Sequence, residues 1–194
     1  MSAENPVFLN ETSPLMLLVP GHDDGPARRW LAHWEACFPD AIRVELGMWA
    51  KPHRNTWVNK LNLAIDRARR PVVIVAEGLA CVALAWWAEY EQPDLDTPVK
   101  GALMIDPPDV DRPGSDPRLA AFTSCPRQPL PFATCVLASR NRGAGSLQAL
   151  RQLARDWNAP FDTIANASVL SVPSLGPVQT LGQRFLSGFL DLAR

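Results

Sequence analysis

The stretch PVVIVAEGLACVALAWWAEY, residues 71–90, carries the spacing in this chain that most resembles a reactive site. A β-branched apolar run passes through one tight turn into a helical pattern, the arrangement that lifts a serine nucleophile to the tip of an elbow in acyl-transfer enzymes. Such a turn requires positive φ at its tip and small residues two places to either side, so that strand and helix can approach. Ala76 and Ala80 are those small residues, and the tip is Gly78. Glycine adopts the strained conformation without the penalty of about 1 kcal/mol that a side chain meets there, but it brings no atom able to attack a carbonyl. The spacing predicts the holder of a nucleophile without the nucleophile. Phosphate binding is the competing chemistry for such a turn. With a single glycine, no G-x-G-x-x-G run and Glu77 beside the tip, a dinucleotide cradle is disfavoured.

The remaining reactive side chains do not fill the gap. His22, His33 and His53 are the only histidines and all precede the elbow, so none follows it as general base in the chain order this type of elbow uses. Cys81 lies one turn into the helix, where a packed core thiol is expected rather than a substitute nucleophile. His22 follows Pro20 and Gly21 at the end of the first strand, near the elbow, and reads as a solvated loop side chain at its mouth. Asp23 and Asp24 have no clear third ligand and read as solvent-facing charge, so no metal site and no cofactor are expected. Cys37, Cys81, Cys125 and Cys135 show no C-x-x-C spacing and are expected as free thiols.

The elements that must position the elbow follow from hydropathy. Buried strands are predicted at 15–19, 41–46, 71–76, 99–106, 132–139 and 160–166, and helices at 26–38, 56–70, 79–90, 146–157 and 178–193. In the second helix the arginines up to residue 70 should sit at the C-terminal end, where the helix dipole favours cations. Strand alternating with helix implies an α/β fold, a doubly wound and mostly parallel six-stranded sheet with helices on both faces. Residues 106–131 interrupt the pattern with seven prolines and leave room for one short helix near 117–122, a surface excursion able to form a cap or rim. Residues 1–13 read as a surface tail and 14–194 as one domain. The tryptophans fall mostly on helix faces and are assigned to the core. The 194 residues are 47% hydrophobic and carry 19 basic against 20 acidic side chains, a net charge of -1. That balance offers no field for nucleic acid or anionic lipid, and the absence of a signal or spanning segment implies a soluble cytoplasmic protein.

Several segments in order resemble the small α/β-hydrolases of the retinoblastoma-binding-protein serine hydrolase family. They are VPGHDDGPARRWLAHWE (19–35), VVIVAEGLAC (72–81), DPPDVDRP (106–113), and PLPF with a following strand that ends in ASR (129–140). The resemblance implies the strand order 2-1-3-4-5-6, with the first and third strands adjacent and the loops 20–26 and 77–80 meeting at the topological switch point. It also implies a serine, aspartate and histidine at three positions, which here hold Gly78, Arg142 and Ser168, the last aligned to within a residue or two. By the same carry-over, the backbone N–H groups at His22 and Leu79 correspond to the oxyanion hole. Glu77 and Arg142 both fall near this site and read as exposed, mobile side chains; the alternative is a salt bridge between them that closes the pocket.

These residues point to a non-catalytic member of a serine-hydrolase family that keeps a pocket or surface for a small molecule or protein partner. The ligand-binding set would be His22, Glu77, Gly78, Leu79 and Arg142. One alternative is a hydrolase acting through His22 and Glu77. Another is a structural subunit pairing with an active relative, or with itself, through segment 106–131 or helix 178–193.

Overall fold

A computed structural model of the chain describes residues 14–21, 31, 32, 34–36, 38–94, 96–164 and 188. The expected tail 1–13, nearly all of helix 178–193 and much of helix 26–38 lie outside the described residues, although 31, 32 and 34–36 are helical. The six apolar runs form β1 (Leu15–Val19), β2 (Ala41–Arg43), β3 (Val72–Glu77), β4 (Val99–Ile105), β5 (Ala133–Ser139) and β6 (Phe161–Ile164). Three α-helices lie between them: α1 (Arg54–Asp66), α2 (Leu79–Glu91) and α3 (Ala144–Asp156). A short 3-10 helix, η1, spans Pro117–Phe122.

All strand pairs are parallel, in the order β2-β1-β3-β4-β5-β6. Alternating side chains divide the central strands β1, β3, β4 and β5 between two cores, which explains why these four are largely apolar, whereas the edge strands β2 and β6 are only partly buried. Leu15, Leu17 and Val19 of β1 join Trp57, Leu61, Leu84, Leu150 and Trp157 on the face covered by α1, α2 and α3. Met16 and Leu18 join Leu31 and Trp34 on the other. Helices therefore cover both faces. Trp34, Trp57 and Trp157 are buried, in keeping with the core assignment, and Trp87, whose place the spacing left least determined, is buried too.

Two local expectations are corrected. Helix α1 ends at Asp66, so Arg67 serves as its C-cap and the later arginines lie past the last turn. Arg70 instead pairs with Asp40, a tertiary partner that the helix dipole could not outbid. The β2 ladder stops at Arg43, although Val44 still donates to the Leu18 carbonyl at 2.9 Å. The chain then turns away through Gly47 and Met48, both with positive φ.

The proline-rich excursion is fastened rather than loosely draped. Asp116 caps η1 by accepting from Arg118 N at 2.9 Å, with Pro117 in the first turn where its missing N–H is harmless. Asp111 accepts from the backbone N–H groups of Ser124 and Cys125, and Trp157 Nε1 donates to the Pro126 carbonyl. Arg127 bridges Asp111 and Asp156, tying the excursion to the end of α3. Among the described residues, no helix is long and apolar enough to cross a membrane.

Candidate functional site

Strand β3 runs beside β4 until Glu77 pairs with Ile105, and Gly78 then donates its N–H to the Ile105 carbonyl at 2.8 Å. At Gly78 the backbone takes φ 57° and ψ −129°, and the next residue begins α2. This is the strained strand-to-helix elbow anticipated from the spacing. Ala76 and Ala80 are wholly buried, and their small side chains permit the close approach. Cys81 N donates to the Gly78 carbonyl at 3.1 Å, closing the first turn.

The exit of β1 presses on the same turn. A Cβ built on Gly21 would stand 2.2 Å from the Glu77 carbonyl oxygen and 2.6 Å from Leu79 N, so only glycine fits. The loops after β1 and β3 meet, as the adjacency of the two strands requires. His22 and Ser168, two positions singled out in the sequence, lie outside the described residues.

Arg142 follows β5, on the expected loop, but its ion pair is with Asp106 rather than with Glu77. Its Nε lies 3.0 Å from Asp106 Oδ1, and its terminal nitrogens donate to the carbonyls of Asp106 (2.9 Å) and Pro107 (3.2 Å). Asp106 also accepts from Ser139 N at 2.7 Å and from Ser139 Oγ. Asp106 is the first residue past β4 and sits at φ 52°, a conformation aspartate tolerates better than most side chains. Glu77 is half-buried at the end of β3. The reason for the correction is geometric: Asp106 offers Arg142 a carboxylate and a carbonyl together, which fits a forked guanidinium. In the sequence, the signal for Asp106 is its place at the head of DPPD, at the end of a strand neighbouring the elbow.

Cys81 is packed in the core behind the elbow rather than presented at its tip. Its side chain is wholly buried, and its Sγ donates to the carbonyls of Ala76 (3.3 Å) and Ile105 (3.5 Å). Burial pushes its pKa well above the ordinary thiol value; the Ile105 hydrogen bond opposes this, the charges of Glu77 and Asp106 add to it, and Arg142 lowers it slightly. The thiol stays protonated. His53 stands at the N-cap of α1, exposed, with Nδ1 3.4 Å from Thr56 Oγ1. Among the described residues, no group of three or more histidine, cysteine or carboxylate side chains has the arrangement of a metal site.

The backbone N of Leu79 stands at the first residue of α2, the positive end of the helix. No side chain projects from the tip of the elbow.

Comparison with known proteins agrees with this architecture. A YdeN-like hydrolase of Pectobacterium atrosepticum superimposes with a TM-score of 0.69 at 21% identity, over 93% of this chain and 92% of that one. The ydeN gene product of B. subtilis gives 0.66 at 13% identity, over 92% and 100% of the two chains. Est1E of Butyrivibrio proteoclasticus gives 0.68 at 11%, over 96% and 92%. At these identities the likeness is one of fold. No curated protein matches the sequence significantly. The serine hydrolase family model matches residues 16–175, most of the sequence, and the chain belongs to the serine hydrolase family.

Proposed function

We propose that this chain is a non-catalytic member of its family, using the hydrolase fold to bind rather than to cleave. The observation that carries the reading is Gly78 at the tip of the elbow, at φ 57° and ψ −129°, where the reactive oxygen of a serine would otherwise stand. Two further features support it. Arg142, on the loop where the family resemblance puts an acid, is committed to Asp106, and every histidine in the sequence precedes the elbow. Because nucleophile and base act as a unit, losing either removes most of the rate enhancement.

The N–H of Leu79 favours an oxygen ligand, and the nearby carboxylate of Glu77 opposes a full negative charge there. A neutral carbonyl compound, such as an ester or amide, is the preferred ligand of the elbow.

The test is treatment of the purified protein with a fluorophosphonate and with activated esters, alongside Gly78→Ser. The wild type should take up no phosphonate and release no more product than heat-denatured protein. Gly78→Ser should remain inactive, since it restores the attacking group without its base. Stoichiometric labelling of the wild type, at any residue, would overturn the proposal.

A further inference from the structure

A second feature shares no lining residue with the elbow. The loop that leaves β2 and the helix η1 form the two walls of an open groove enclosing about 680 Å³, within the range of small-molecule sites. Ala50 and Pro52 line one wall, Ala120 and Ala121 the other, and all four are small and apolar. Met48 stands at the lip, 54% exposed, a side chain flexible enough to adapt to an apolar guest.

The walls are held in place from beneath. Trp49 packs edge-on against Trp57, which packs against Phe122 at the end of η1, with ring centroids 5.3 and 5.4 Å apart. Trp57 Nε1 donates to the Gly47 carbonyl at 2.9 Å, and Lys60 Nζ to the Leu46 carbonyl at 2.6 Å. These bonds clamp the loop where Gly47 and Met48 both adopt positive φ. A methionine in that conformation is strained, and its apolar side chain gains nothing from the exposure that results.

Charge indicates what would bind. The polar side chains lining the groove are Lys51, His53 and Arg118, and no carboxylate lines it. Arg118 is held by its own cap, Asp116. Lys51 is exposed and has no ion pair among the described residues. We propose that this groove is a binding site for a small amphiphilic carboxylate, whose apolar body lies on the alanine and proline walls while its acid group meets Lys51, with His53 beside it. No residue of the elbow lines the groove, and the proposal does not depend on whether the elbow is catalytically silent.

Calorimetric titration with decanoate, below its micellar concentration, tests this, with decyltrimethylammonium as the cation of equal chain length. Saturable one-to-one binding of decanoate is expected, with much weaker binding of the cation. Lys51→Glu should weaken decanoate about tenfold, and Ala121→Trp, which fills the groove from an exposed position, should abolish it. Both variants should melt with the wild type, since neither side chain is buried. Absence of saturable binding, equal binding of anion and cation, or decanoate affinity untouched by either variant would each overturn the assignment.

Discussion

Gly21 lies so close to Leu79 that a single added carbon on Gly21 would stand 2.6 Å from the Leu79 nitrogen. The same carbon would meet the Glu77 carbonyl at 2.2 Å, and both contacts are backbone atoms that cannot swing aside. The elbow is therefore shaped as much by the exit of β1 as by its own sequence. Gly21→Ala is expected to destabilise the fold by about 1–3 kcal/mol, the range for an overpacked interior. Urea denaturation read by tryptophan fluorescence would measure it; an unchanged midpoint would mean the two loops are not in contact.

Arg142 ties the exit of β4 to the loop after β5 through one ion pair and two carbonyl bonds. Arg142→Ala should lower stability by about 2 kcal/mol, the scale of hydrogen bonds that involve a charge. Arg142→Lys should recover only part of this, because an ammonium cannot serve the carboxylate and both carbonyls with the same planar fork. Equal stability of the two variants would show that the forked geometry is not what matters.

Asp156 makes stability depend on acidity in a stated direction. Burial alone would raise its pKa, but hydrogen bonds from Arg127 and Gln152, together with the Arg127 charge, hold it below the ordinary carboxylate value. A carboxylate depressed in the folded state contributes stability above its unfolded pKa, and the contribution is lost as pH falls through the folded value. Arg127 is substantially exposed, so the pair is worth less than about 1 kcal/mol. Arg127→Ala should be slightly less stable than wild type at pH 7, and the gap should narrow toward pH 3 and in high salt. A gap that widens on acidification would contradict the assignment.

The described thiols should be inert in the native protein. Burial raises Cys125 and Cys135 to about 12 and Cys81 well above the ordinary thiol range, so all three are protonated at pH 8. Brief iodoacetamide treatment followed by peptide mapping should leave them unmodified, and the same treatment in denaturant should modify each. Native-state alkylation of Cys81 would reopen it as a nucleophile.

What the sequence determined by itself was local. A strand buried on both faces needs a continuous apolar run, so LMLLV and VVIVAE could be recognised without any partner. The elbow was readable because its requirements fall within five residues: Ala76, Gly78 and Ala80 state the geometry directly. The prolines of 106–131 left room for just the one short helix that forms at Pro117–Phe122. Tertiary structure alone decided the partner of Arg142. Glu77 and Asp106 were both carboxylates on strands ending near it, and only the folded chain, bringing together residues 36 apart, set Asp106 where its side chain and carbonyl could both accept. The groove beside η1 was equally hidden, since its walls come from the separate segments 48–53 and 117–121, which meet through the edge-on packing of Trp49, Trp57 and Phe122. Spacing encodes what neighbours along the chain must do; a pair that forms across the sheet depends on where every intervening element has packed.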